Sequence, residues 1–247
     1  MLALGDKMKQ LTAVLLVCLL LSACTLREEP LRAAAQTREP QTEQIPSAAG
    51  YIALTFDDGP TSKHTARLLD GLKERNIHAT FFLVGYRLPG NEALVQRMKA
   101  EGHQIGNHSY DHVQLTTLSP AAALKDLIAC DLALCTLLGE RDYWVRPPYG
   151  SIQSQTLTAL DVPVICWSVD PRDWAATNAD IIADHIVQNA ADGDIILLHD
   201  CYADTVDAAL AAADRLLARG MQLVTVEQLL QIRGQEMQGG RVIYSGK

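Results

Sequence analysis

The sequence predicts an α/β fold: a distorted (β/α)7-8 barrel, built as one domain over residues 50–232. Three observations predict it. Short apolar runs alternate with longer amphipathic runs throughout that stretch, the pattern of βα units. Seven such units follow one another, which suits a closed barrel better than an open sheet. Polar and titratable residues cluster just after the apolar runs, on the face where barrel active sites are assembled.

Taken in order, the apolar runs predict strands at 51–56, 79–84, 103–106, 143–146, 162–169, 194–198 and 222–224. Amphipathic periodicity predicts helices at 65–75, 92–101, 120–138, 153–160, 179–190, 204–219 and 226–231. Ser119-Pro120 makes a helix start, with serine as the cap and proline at the first position, where its missing N–H is no loss. Asn178 caps the 179–190 helix, and Gly102 and Gly220 close the helices before them.

The front of the chain reads as targeting. Lys7 and Lys9 precede an apolar run over 11–21, too short to span a bilayer comfortably and ending in small residues. Residues 1–23 therefore read as a signal peptide, with Met8 an alternative start to Met1. Leu21-Ser22-Ala23-Cys24 resembles a bacterial lipobox, which implies a lipidated Cys24 and a protein held at the extracytoplasmic face of the cell membrane. An ordinary signal would leave it secreted instead. Residues 24–49, rich in Glu, Gln, Arg, Pro, Thr and Ala, read as a flexible tether, and 233–247 as a tail with no assigned element.

A net charge of −8 with no basic patch argues against nucleic acid as a partner. The spacing of Cys130, Cys135, Cys166 and Cys201 is no zinc-ribbon pattern and sets no disulfide pairing. Cys130 and Cys135 can pair only if their helix is interrupted; buried free thiols are the simpler reading. Cys201 directly follows His199-Asp200, near the expected site.

The chemistry lies in the strand-end clusters. Thr55-Phe56-Asp57-Asp58-Gly59-Pro60 puts two adjacent carboxylates where a buried strand meets solvent. Neighbouring strand residues point to opposite faces, so both acids reach one cavity only if the chain leaves strand geometry there. Gly59 and Pro60 permit that departure. The pair suggests a base beside a metal ligand. His108 and His112 are weak evidence for a metal alone, but with Asp58 they supply two nitrogens and one oxygen, the ligand count of an open catalytic site. Arg146-Pro147-Pro148-Tyr149-Gly150 holds an arginine on a stiff segment, suited to clamping a carboxylate. Asp170-Pro171-Arg172-Asp173-Trp174 offers Trp174 to a sugar groove or to a loop core. In the last cluster, period two puts Ile195, Leu197 and His199 on one face, with His199 at the strand end.

Together the five motifs TFDDGP, HSYDH, RPPYG, DPRDW and LLHD, in this order over 50–231, resemble those of the NodB-homology polysaccharide deacetylases, carbohydrate esterase family 4. The resemblance implies a distorted barrel, a single NodB-like domain, one divalent metal and deacetylation of acetylated sugars. It makes Asp57 the general base, with Arg146 orienting it and holding it ionised. It makes Asp58, His108 and His112 the metal ligands, with Ser109 bracing their loop. It gives the backbone N–H of Tyr149 to the oxyanion. His199 becomes the general acid, tuned by Asp173. Trp174, Leu197, Tyr149 and Pro148 are expected to contact substrate. A relative acting on muramic acid in spores has Asn for the second Asp and lacks the tyrosine, so Asp58 and Tyr149 set this chain apart from it.

One carboxylate with two imidazoles suits zinc first, then cobalt, nickel or iron. For an exported, tethered protein the expected partner is a cell-wall glycan, with N-acetylglucosamine of peptidoglycan first. Chitin oligomers and O-acetylated xylan are alternatives, as is a non-catalytic glycan-binding module on the same scaffold. A metallopeptidase-like amidase would need a His-Glu-x-x-His helix, which the sequence lacks.

Overall fold

Strand β1 (Gly50–Asp57) is the axis of the fold in the computed structural model, which describes residues 48–247. The expected signal peptide, the Cys24 lipobox and the tether up to residue 47 lie outside the described residues. Strands β2 (Thr80–Leu83), β3 (Gln104–Asn107), β4 (Val164–Ile165), β5 (Ile195–His199), β6 (Met221–Val224) and β7 (Val242–Ile243) follow in chain order. Between them run helices α1 (His64–Glu74), α2 (Glu92–Ala100), α3 (Pro120–Leu138), α4 (Ser154–Leu157), α5 (Ala179–Asn189), α6 (Ala203–Ala218) and α7 (Val226–Ile232).

The strands form a distorted parallel ring. β3, β2, β1 and β5 are adjacent in that order. Single-residue bridges carry the ring onward, from Asn107 to Val145, from Val145 to Val164 and from Val169 to Ile196, all parallel. Ala53 pairs with both β5 and β6, while 55–57 pair with both β5 and β2. A strand has only two edges, so β6 and β2 share one edge of β1 and β5 holds the other.

Alternation along β1 sorts its residues. Ile52, Leu54 and Phe56 pack outward against Leu68, Leu72 and Val206 of the surrounding helices. Ala53 packs inward with Phe82, Ile165 and Ile195. Val226, Leu229 and Leu230 of α7 pack under that group and close the end of the barrel opposite Asp57. The predicted caps form: Ser119 accepts from the Ala122 N–H and Asn178 from those of Asp180 and Ile181.

Three elements differ from expectation. The 143–146 run bridges only through Val145, because Pro147 and Pro148 have no N–H with which to continue a ladder. The 162–169 run is a strand only at Val164–Ile165, since the carbonyls of Ile165 and Cys166 accept from the buried Arg146 guanidinium. The 153–160 helix shortens to Ser154–Leu157. The segment after Arg233, given no element from sequence, returns to pair β7 with β4. Helix α3 runs uninterrupted through Cys130 and Cys135, and all four cysteines of the described residues are free.

Candidate active site

β1 delivers Asp57 and Asp58 to the same end of the barrel, and the backbone turns between them. Asp58 has a φ of 71°, the departure from strand geometry that two adjacent acids need to share a cavity. Gly59 must be glycine: a Cβ there would stand 2.5 Å from the Asp200 carboxylate. Asp200 is fully buried, and burial pushes its carboxyl up to about 7 despite the Thr65 hydroxyl bond.

The HSYDH loop brings in the imidazoles. His108 and His112 meet from a turn rather than a helix face, with Ser109 at φ 66° and His112 at φ 54°. Ser109 Oγ accepts from the His112 N–H at 3.0 Å, and Asn107 Oδ1 from the Ser109 N–H at 2.9 Å. His108 Nδ1 lies 2.7 Å from the Arg146 carbonyl, to which it donates, so its Nε2 carries the lone pair. That Nε2 is 3.4 Å from Asp58 Oδ1, and His112 Nε2 is 2.9 Å from the same oxygen.

These three side chains fit a metal ion. Their ligand atoms lie within 4.8 Å of one another. Asp58 Oδ1 is buried without a well-formed hydrogen bond, although two ring nitrogens crowd it. Burial alone would raise the Asp58 carboxyl; the two imidazoles outweigh that and hold it well below the usual carboxylate range. An anionic oxygen and two imidazoles at a common point form the donor set of an open zinc-type site.

Behind them lies Arg146, fully buried. Its Nη1 donates to Asp57 Oδ1 at 2.7 Å and to Thr55 Oγ1 at 2.6 Å. Nε and Nη2 donate to the carbonyls of Ile165 and Cys166 at 3.1 and 3.0 Å. The guanidinium stacks 4.1 Å from the centroid of Phe82. Asp57 Oδ2 is left facing His108 Nε2 at 3.6 Å.

A second carboxylate–imidazole pair stands at the end of β5. Asp173 Oδ1 is 2.9 Å from His199 Nδ1, and its Oδ2 accepts from the His199 backbone N–H and from Thr205 Oγ1. Burial pulls His199 down, but the hydrogen bond and charge of Asp173, with Asp57 and Asp58 beyond, lift it to about 9.

Both groups open into one cleft of about 420 Å³, whose lining includes Asp57, Asp58, His108, His112 and His199, with Leu197 at its floor. Tyr149, Trp174 and Tyr202 are its exposed aromatics, at 65%, 51% and 43%. Arg146 and Asp173 sit behind it, each gripping a lining residue. Pro148 is the exception among the expected substrate contacts. It is buried at the start of the turn whose tip, Tyr149 at φ 61°, takes the exposed position. Sequence reasoning passed over Thr55, Thr205 and Tyr202. Period two from Asp57 points to Thr55, whereas Thr205 and Tyr202 follow the last motif and carry no pattern of their own.

A family model described as polysaccharide deacetylase matches residues 44–162. Peptidoglycan-N-acetylmuramic acid deacetylase PdaC of Bacillus subtilis (strain 168) is 40% identical over 196 residues, which are 79% of this chain and 42% of that protein. The chain thus spans about two-fifths of the length of that curated relative. A peptidoglycan-N-acetylglucosamine deacetylase of Bacillus cereus is 35% identical over 208 residues, covering 78% of this chain and 93% of that protein. The structure of a family 4 acetyl xylan esterase from Clostridium thermocellum, in complex with a cobalt ion, matches at a TM-score of 0.75 and 31% identity, over 79% of this chain and 98% of that one.

The buried Arg146–Asp57 pair yields a stability prediction. Arg146→Met and Asp57→Asn each strand a buried charge and should each cost about 3–5 kcal/mol. The double variant should cost less than their sum by at least about 1 kcal/mol, read from urea unfolding. Strict additivity would show that the two groups are not coupled.

Proposed function

The chain belongs to the polysaccharide deacetylase family, and from that premise we propose that it is a metal-dependent hydrolase that removes N-acetyl groups from a polysaccharide and releases acetate. One observation carries the reading: a metal-type trio, Asp57 and a histidine backed by the buried Asp173 face the same cleft. A glycan-binding module needs neither a proton acceptor nor a proton donor.

Asp58, His108 and His112 would hold the ion, with zinc proposed first. When bound, the ion supplies Lewis-acid polarisation to the acetyl carbonyl and to water, whose pKa such an ion can lower from about 15.7 to about 7. The residues of the chain supply the rest. Asp57, anchored at one oxygen by Arg146, takes the proton of the attacking water at the other. The Tyr149 backbone N–H is assigned to the developing oxyanion, a contact of a kind worth about 3–4 kcal/mol. His199, kept protonated by Asp173, delivers its proton to the departing amine. Acetate and a free amino sugar are the products.

The proposed substrate is N-acetylglucosamine of peptidoglycan. Relatives named for peptidoglycan N-acetylglucosamine and N-acetylmuramic acid support the polymer. Asp58 and Tyr149 argue against the spore-acting muramic acid subgroup, and the Bacillus cereus relative is named for the glucosamine unit. A lipidated Cys24 would hold the enzyme at the outer face of the membrane, within reach of that polymer.

Acetate release from purified cell wall, chitin oligomers and acetyl-xylan, assayed side by side, tests the reading. Wall should be the best substrate, its glucosamine units should lose their acetyl groups, and Asp57→Asn should lose at least about a thousandfold in kcat. A chelator should abolish release and added zinc restore it. No acetate from any of the three, with zinc, cobalt or nickel present, would leave a binding module as the better account.

The alkaline limb of the rate profile follows from His199. Its acid form persists below about 9 and is lost as pH rises through that value, so kcat should fall there. Asp173→Asn removes the main lifting group and should bring the limb down toward the ordinary imidazole range near about 6.5. A limb that does not move would take His199 out of the role of proton donor.

A further inference from the structure

We propose that Tyr202 is the sugar platform of the cleft, stacking on the pyranose that carries the acetamido group and thereby selecting glycans over small acetyl compounds. The inference rests on the deacetylase reading, through the role of His199. None of the five motifs includes Tyr202. Its place follows from where the reaction leaves its products. The departing amine stays bonded to the sugar, so that ring must lie against the residue that protonates the amine.

Tyr202 is the aromatic beside His199. Their ring centroids are 6.3 Å apart at an interplanar angle of 67°, a T-shaped contact that leaves the two rings unstacked. Tyr202 lines the cleft and is 43% exposed. Its backbone is fixed at the start of α6, where its carbonyl accepts from the Val206 N–H at 3.3 Å. The other exposed aromatics of the cleft have different neighbours. Tyr149 stands against His112, with centroids 5.4 Å apart. Trp174 carries the Arg172 guanidinium 5.4 Å from its ring. Tyr202 is therefore the exposed cleft aromatic in ring contact with His199, where the sugar arrives.

A pyranose with equatorial substituents presents an apolar C–H face, and an aromatic ring covers it at low entropic cost. Such a platform takes glucosamine-type and xylose-type rings alike. It reads the presence of a sugar rather than the kind of acetyl bond.

The test uses the full-length, zinc-loaded protein with chitotetraose and with 4-nitrophenyl acetate, which has no sugar ring. Tyr202→Ala should raise KM for the oligosaccharide, relative to that for the ester, about tenfold, or about 1.4 kcal/mol. Tyr202→Phe should keep the wild-type ratio, because stacking needs the ring and not the hydroxyl. An unchanged ratio in Tyr202→Ala, or a Phe variant as impaired as the Ala variant, would overturn the platform. Calorimetric binding of chitotetraose to the metal-free protein separates the two claims. Weaker binding by Tyr202→Ala in a protein that never releases acetate supports the platform and removes the deacetylase reading alone. Turnover by wild type with equal binding by both proteins removes the platform alone.

Discussion

The ion pair between Arg146 and Asp57 organises the site. A guanidinium fully removed from water is costly, and replacing a whole buried ion pair by well-packed apolar residues is often neutral, whereas removing one partner is not. What the arginine supplies is geometry. Its donors reach β1 through Thr55 and Asp57, and the β4 segment through two carbonyls. Its own carbonyl orients His108. Arg146, through its side chain and its backbone carbonyl, thus sets the position of the Asp57 carboxylate, the tautomer of His108 and the irregular course of the strand across the barrel. The broken ladder at 162–169 and the anchored Asp57 carboxylate have the same cause.

Backbone strain gathers around this centre. Five of the non-glycine residues with positive φ lie in the motif loops: Asp58, Ser109, His112, Tyr149 and Arg172. Left-handed geometry costs about 1–3 kcal/mol at such positions and persists only where the surroundings over-determine it. Here they do. Ser109 ties the HSYDH turn to His112, Asn107 ties Ser109, and the Asp170 carboxylate accepts from the Arg172 N–H. The loops are held rigid against an inner barrel whose opposite end α7 seals.

Much of this was legible in the sequence. Asp57 and Asp58 beside a Gly-Pro turn announced two acids leaving strand geometry, and φ at Asp58 is how the chain does it. The alternation of Leu197 and His199 placed both in the cleft. Caps at Ser119 and Asn178 were readable because capping is a local bond. What could not be read depends on contacts between distant segments. The shortening of the 162–169 strand reflects carbonyls taken by Arg146, about twenty residues away in sequence. The pairing of β7 with β4 joins a two-residue strand to one nearly eighty residues earlier, with no periodicity to betray it. The burial of Pro148 is not legible, because motif position does not say which residue of a turn faces solvent. Tyr202 was missed because its value comes from adjacency to His199 in space.

Anomalous diffraction at the zinc edge, on crystals of the zinc-loaded protein, tests the central claim most directly. The account predicts a single strong peak bonded to a carboxylate oxygen of Asp58 and to Nε2 of both His108 and His112, inside the cleft that also holds Asp57 and His199. A peak ligated by other residues, or no ordered ion at that point, would contradict it.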